Sequence, residues 1–393
     1  LISVIPIAKN ARPVIFRKLQ DRVMTSKSLH IAGLLDELQT TLAHGTVARR
    51  VETLRRVTDL FINNAVDYSD AQIAVFDDVF ACLLEQLEAS ARAVLAERLG
   101  PVATAPPRVV RTLAFDDLIE VAAPVLSQSD RLDDPSLIEN ARTKSQAHLL
   151  AISVRKVLSG AVTDALVTHG NDEVVRSTAS NPGAEFSEGG YSMLVSRAER
   201  DDGIATCVGL RRSIPRYHYL KLVAKASAAV RARLDAAHPQ WSGDVAAAMQ
   251  EVTRRARSAP SAVDRETIIA RGLVRSLFED GRLDEVQVAK FADAGKFDET
   301  NSAIACLANV PLAVVETMMV ESRTEGIFIL AKVANFSWPT VKAIINMRDQ
   351  LSGAPGSENR DDKAIYERLR PSTAQQVLRF HRMQEATSNM PAA

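Results

Sequence analysis

The chain is 393 residues long, 46% hydrophobic and 24% charged, with aromatics at only 5%. These proportions describe a globular protein of two or three domains rather than a disordered chain, and no apolar run approaches the ~20 residues that span a bilayer. Its 48 Lys and Arg balance 48 Asp and Glu, so there is no global field to steer it onto nucleic acid, although a local basic stripe is compatible with neutrality.

Residues 1 to 30 form a basic lead-in with weak periodicity, expected to be partly ordered. Its opening Leu1-Ile-Ser-Val-Ile-Pro-Ile-Ala lacks a basic n-region and is followed by Lys9, Arg12 and Arg17, so it does not read as a signal peptide; the cytoplasm is the expected compartment. Helices follow. Thr46 caps a segment whose apolar positions Val47, Val51, Leu54, Val57 and Phe61 recur every three or four residues. Ser69-Asp-Ala-Gln72 is a capping-box pattern before Ile73, Phe76, Phe80, Leu83 and Leu84. Ser90 opens the next helix, which stops at Leu99-Gly100-Pro101.

From Asp117 onward a short phrase restarts: an acidic or small cap, a clipped apolar helix, a break, another helix. It recurs at Asp117-Leu-Ile-Glu-Val-Ala-Ala-Pro, Asp172-Glu-Val-Val-Arg-Ser-Thr-Ala, Asp202-Gly-Ile-Ala-Thr-Cys-Val-Gly and Ser227-Ala-Ala-Val-Arg-Ala-Arg-Leu. Restarts roughly 25 to 30 residues apart signal stacked repeats, each too small to bury its apolar side alone. Asp134-Pro135 reads as N-cap plus first-turn proline, Ser159 and Ser187 as caps, and Ile214-Pro215 as the start of another helix. No stretch alternates over strand length, so no sheet is expected.

The phrase changes near Ser258-Ala-Pro260-Ser261, where a loop is expected to separate the array, residues 31–258, from a second helical block at 262–350. That block carries near-copies Gly281-Arg-Leu-Asp-Glu285 and Gly295-Lys-Phe-Asp-Glu299, each a helix stop, an apolar anchor and an acidic start. Residues 351–393 read as a Gly/Ser/Pro loop, a terminal helix over Ser372 to Gln384 and a polar tail. The fold expected is all-α: stacked short helical hairpins, an α-solenoid, followed by a smaller all-helical block. Its core should include Val51, Leu54, Phe61, Phe76, Phe80, Leu83, Val121, Val174, Leu194, Ile204, Leu220 and Leu222.

Three motifs, "RRVETLRRVTDLF" from Arg49, "LAFDDLIEVAAPVLSQSDRLDD" from Leu113 and "ILAKVANFSWPTVKAI" from Ile329, carry a family resemblance over Arg49 to Arg233 and Arg265 to Arg348. The chain resembles a bacterial, mainly alphaproteobacterial family known as a domain of unknown function with HEAT-like or leucine-rich-variant-like helical repeats. The resemblance implies a helical-repeat fold and brings no catalytic residues with it.

Motifs for chemistry are absent. There is no phosphate-binding loop, no nucleophile elbow and no H-E-x-x-H. Cys82, Cys207 and Cys306 sit singly in apolar helical stretches and are expected to be buried reduced thiols. The seven histidines are scattered, so no metal and no cofactor is expected. Carboxylate pairs Asp116-Asp117, Asp133-Asp134 and Asp201-Asp202 recur at repeat starts, where helix capping is their simplest role. Glu185 and Glu188 would oppose an anion at the Ser187 helix start.

Two features stand out as candidate binding residues. Arg211, Arg212, Arg216, Tyr217 and His218 gather around a helix start, a composition suited to carboxylate or phosphate recognition and to stacking. The competing reading is a loop whose arginines brace neighbouring repeats. Trp338, behind Ser337 and before Pro339, offers a large ring for packing or for a partner. The expected function is a non-enzymatic scaffold or adaptor gripping a protein partner through the concave face of the stack. The alternative is a nucleic-acid-binding or anionic-ligand-sensing protein using the Arg211 to Arg216 cluster.

Overall fold

The computed structural model describes residues 47–85, 87–237, 262–321, 323–353 and 361–388. Among them every regular element is a helix and there is no β-strand, as the 3.6-residue periodicity predicted. The expected lead-in at 1–30 and the loop at 258–261 lie outside the described residues. The chain divides into two compact units, residues 1–170 and 171–393.

The first unit contains α1 (Val47–Asn64), α2 (Asp70–Leu84), α3 (Ala89–Leu99), α4 (Pro107–Ala114), α5 (Ile119–Gln128), α6 (Asp134–Thr143), α7 (Gln146–Ser153) and α8 (Gly160–His169). Most helices pack on the one two positions further along: α1 on α3, α2 on α4, α3 on α5, α5 on α7 and α6 on α8. That is the solenoid-like packing expected of hairpins too short to bury their own apolar faces. Leu95 of α3, Val121 and Val125 of α5, and Leu149 of α7 are all buried along one such row. At Gly100, a Cβ would stand 2.9 Å from the Pro124 carbonyl oxygen, so only glycine allows α3 to end this close to α5.

The second unit begins the same way, with α9 (Asp172–Ser180), α10 (Glu188–Ala198), α11 (Asp202–Gly209), α12 (Arg216–Lys225) and α13 (Ala228–Ala237). Here α9 packs on α11, α10 on α12 and α11 on α13. It continues with α14 (Ala262–Glu279), α15 (Glu285–Asp293), α16 (Phe297–Ala308), α17 (Leu312–Val320), α18 (Glu325–Val333), α19 (Trp338–Ser352), α20 (Asp362–Arg368) and α21 (Pro371–Ser388). Residues 262–350 fall in the same compact unit as α9 to α13. Helices α16 and α17 pack on α12, and α19 packs on α10, inside one compact unit.

The recurring carboxylate pairs divide their labour. The first member serves its own helix: Asp116 accepts from the Leu118 N–H at 3.0 Å, Asp133 from Ser136 at 3.1 Å and Asp201 from Ile204 at 2.9 Å. The second member reaches the start of the next repeat unit: Asp117 accepts from Lys144 Nζ at 2.7 Å, Asp134 from Ser159 Oγ at 2.5 Å and Asp202 from Ser227 Oγ at 2.9 Å. Donor and acceptor are 25 or 27 residues apart each time, so the sequence period is also a hydrogen-bond period. The N-cap of α6 is Asp133, one residue earlier than the sequence suggested. The capping box at Ser69 and Gln72 and the caps at Ser159 and Ser187 stand as expected.

The two near-copies also fold alike. Gly281 (φ 65°) and Gly295 (φ 69°) are left-handed stops, and the following N–H groups of Arg282 and Lys296 bond back to Leu277 and Phe291 carbonyls at 2.8 and 2.9 Å. This is the Schellman closure, with Leu283 and Phe297 buried immediately after it. Asn309 and Asn335, also left-handed, repeat it before buried Val310 and Phe336.

Three core expectations need correction. Val51 is 41% exposed, because the buried stripe of α1 runs through Thr53, Leu54, Val57, Thr58 and Phe61 and leaves Val51 at its margin. Leu220 is only half-buried. Cys207 and Cys306 are half-buried free thiols rather than buried ones, and the Cys82 side chain lies outside the described residues.

Candidate binding cleft

The structure does not assemble the arginine cluster into an open anion site. Arg211 is buried, and its guanidinium donates to the carbonyls of Ala179 at 2.7 Å, Asn181 at 2.8 Å and Ala184, all at the end of α9 and just beyond it. It also lies over the Phe186 ring, 4.7 Å from the centroid. Helix C-termini leave carbonyls without intrahelical donors, and a guanidinium fork can satisfy several at once. Arg155 does the same in the first unit, donating to Leu126 and Ser129 carbonyls at 2.6 and 2.8 Å. These arginines are braces within their repeat stacks. Arg212, their neighbour in sequence, is exposed.

Arg216 is 4% exposed and forms a two-point ion pair with Glu316 of α17, with Asp298 of α16 at 3.7 Å. Arg271 of α14 also reaches Glu316, at 3.4 Å, and Thr267 of α14 donates to Asp298 at 2.7 Å. Burial, reinforced by the Arg216 charge, lowers the pKa of Arg271. The two cations and two carboxylates thus offset one another inside the unit.

Tyr217 is buried edge-to-face against Phe297, ring centroids 5.3 Å apart, and burial raises its pKa. His218 is fully buried and its Nε2 lies 2.7 Å from Glu188 Oε2. Trp338 is half-buried and packs its ring against Phe328 and Tyr366. Burial pushes the Tyr366 phenol up to about 12, and its hydroxyl donates to the Phe336 carbonyl at 2.6 Å. Five of the six sequence-selected residues are therefore committed to packing or internal pairing.

What the second unit does form is a cleft of about 560 Å³. Its apolar surface comes from Pro215 and Tyr217, from Ile269 and Ala270 on α14, from Phe297 and from Leu351. Its acidic members are Glu188 of α10, Glu266 of α14, and Asp298 and Glu299 of α16, against Arg216 and Lys296. Arg216 and Asp298 belong to the internal network, and Lys296 pairs with Glu299 at 3.5 Å. Among the described residues Glu188 and Glu266 have no Lys or Arg partner, Glu188 being held instead by His218 Nε2. The Gly295-Lys-Phe-Asp-Glu299 echo had marked this wall in the sequence. The participation of Glu266 and Ile269 had no signal there.

Helix α14 adjoins the cleft and has a second apolar side. Thr267, Ala270 and Val274 face the core, whereas Ile268, Ile269 and Leu273 are 64%, 67% and 43% exposed. Gly272 lies among them, with nothing within 4 Å of the place a Cβ would take. Ile269 belongs to both surfaces, so the outer face of α14 runs into the cleft.

Among the described residues no group of three His, Cys, Asp or Glu side chains could hold a metal ion, and no helix is long and apolar enough to cross a membrane. Among the described residues, fold and cleft define an all-helical protein of stacked short hairpins with an apolar, acid-edged groove in its second unit. The chain belongs to the bacterial family described as "Uncharacterised protein conserved in bacteria (DUF2336)", which matches residues 121–379. No curated protein and no solved structure matches it.

Proposed function

We propose that this chain is a non-enzymatic helical adaptor of the bacterial cytoplasm that grips a protein partner through its second unit. The observation that carries this reading is the outer face of α14, where Ile268, Ile269 and Leu273 stand exposed on a helix whose opposite side is already buried. A surface helix ordinarily needs one apolar stripe, and a second one is unfavourable in water unless something covers it. The anion-recognition alternative receives no such support, because Arg211 and Arg216 spend their guanidiniums on carbonyls and carboxylates.

Affinity purification from the source bacterium tests the reading, comparing the native chain with Ile269→Asp/Leu273→Asp. A protein retained by the native chain and lost from an equally stable variant supports it. Identical recovery from both would overturn it.

A further inference from the structure

The geometry points to the class of partner: the cleft and the adjoining face of α14 take an amphipathic helix that carries lysine or arginine beside its apolar stripe. This rests on the adaptor reading and adds the chemistry of the occupant.

Three observations lead there. First, the volume of about 560 Å³ lies within the ~300–1,000 Å³ typical of ligand sites and is too large for a packing defect. Its walls of Tyr217, Phe297, Ile269 and Leu351 suit an apolar anchor. Second, no strand exists among the described residues, so a partner cannot add a strand to a sheet edge, and helix-in-groove docking is the mode this surface offers. The exposed stripe of α14 lengthens the cleft in the way a bound helix, with anchors at i, i+3, i+4 and i+7, requires.

Third, charge selects the partner. The cations at the cleft are already engaged, Arg216 by Glu316 and Lys296 by Glu299, while Glu188 and Glu266 bring negative charge from α10 and α14. Glu266 is exposed and has no partner among the described residues. A cation flanking the partner's apolar stripe is drawn to these carboxylates, and an acidic helix or a nucleic-acid phosphate is repelled. Charged groups at such a margin set selectivity more than raw affinity, and the apolar anchors supply the hold.

The test uses the full chain and two fluorescein-labelled synthetic helices of equal length. Both carry leucine at the four anchor positions; one has lysine and the other glutamate at the flanking positions. Fluorescence anisotropy should show the leucine–lysine helix binding at least about tenfold more tightly than its acidic counterpart, with the preference fading as salt is added. Glu266→Lys should lower affinity for the basic helix roughly three- to tenfold and raise it for the acidic one, with the melting temperature unchanged. Ile269→Asp should abolish binding of both.

Equal affinity for the two helices, or a basic helix indifferent to Glu266→Lys, would overturn the assignment. So would binding that survives Ile269→Asp. A native partner that is lost with Ile269→Asp/Leu273→Asp, together with no binding of the basic helix, would sink this inference while leaving the adaptor reading intact.

Discussion

Arg216 and Glu316, one hundred residues apart in sequence, meet as a buried two-point ion pair, Nε to Oε1 at 2.9 Å and Nη2 to Oε2 at 2.8 Å. The pair ties α12 to α17 inside the second unit. Removing one partner of such a pair leaves an uncompensated buried charge, which costs far more than the pair contributes.

Arg216→Gln should therefore destabilise the protein by about 3–5 kcal/mol, towards the lower end because Arg271 still reaches Glu316. The double variant Arg216→Met/Glu316→Met should recover much of the loss. Urea unfolding with each variant checks both statements. Binding-site arginines would have left the midpoint nearly unchanged, so a stable Arg216→Gln protein would contradict the bracing role.

Arg211→Ala should cost about 2–4 kcal/mol, since it strips three carbonyls of a charged donor. Arg211→Lys should restore little, because one ammonium cannot reproduce the fork geometry. The exposed neighbour Arg212→Ala should fall within about 0.5 kcal/mol of the native chain. Chemical denaturation of the three variants side by side separates brace from bystander.

The two sides of α14 should respond in opposite ways. Val274→Ala, at a position with no exposure, should cost about 1.5–3 kcal/mol. Ile269→Asp and Leu273→Asp, on the exposed side, should leave stability within about 0.5 kcal/mol and change only what the protein binds. Calorimetry together with the pull-down distinguishes the two faces.

Acid should weaken the contact between α15 and α19. Burial raises the pKa of Glu285, but hydrogen bonds from Ser337 and Thr340 more than offset it and hold the carboxyl below its ordinary 4.5. A folded pKa below the unfolded one means the stabilisation is complete above about pH 4.5 and is lost as pH falls through the folded value. Glu285→Gln should be less stable than the native chain at pH 7, by roughly 0.5–1.5 kcal/mol. The gap should close as both are titrated below pH 4.5. A gap that widens on acidification would refute the account.

The sequence by itself determined what depends on a few adjacent residues. The 3.6-residue faces, the Ser69, Ser159 and Ser187 starts, the glycine stops at 281 and 295 and the recurring Asp pairs all act within one helix turn or one repeat period. They specified an all-helical stack before any packing was known. Tertiary structure decided the rest. A guanidinium reads the same in sequence whether it faces water or a carbonyl, and only packing brought α9 to Arg211 and α17 to Arg216. Likewise Ile268, Ile269 and Val274 share one helix and one chemistry, yet the neighbours of α14 cover Val274 and leave the isoleucines in water. Apolar pattern marks which residues seek burial, but the packing of neighbouring helices decides which of them are covered.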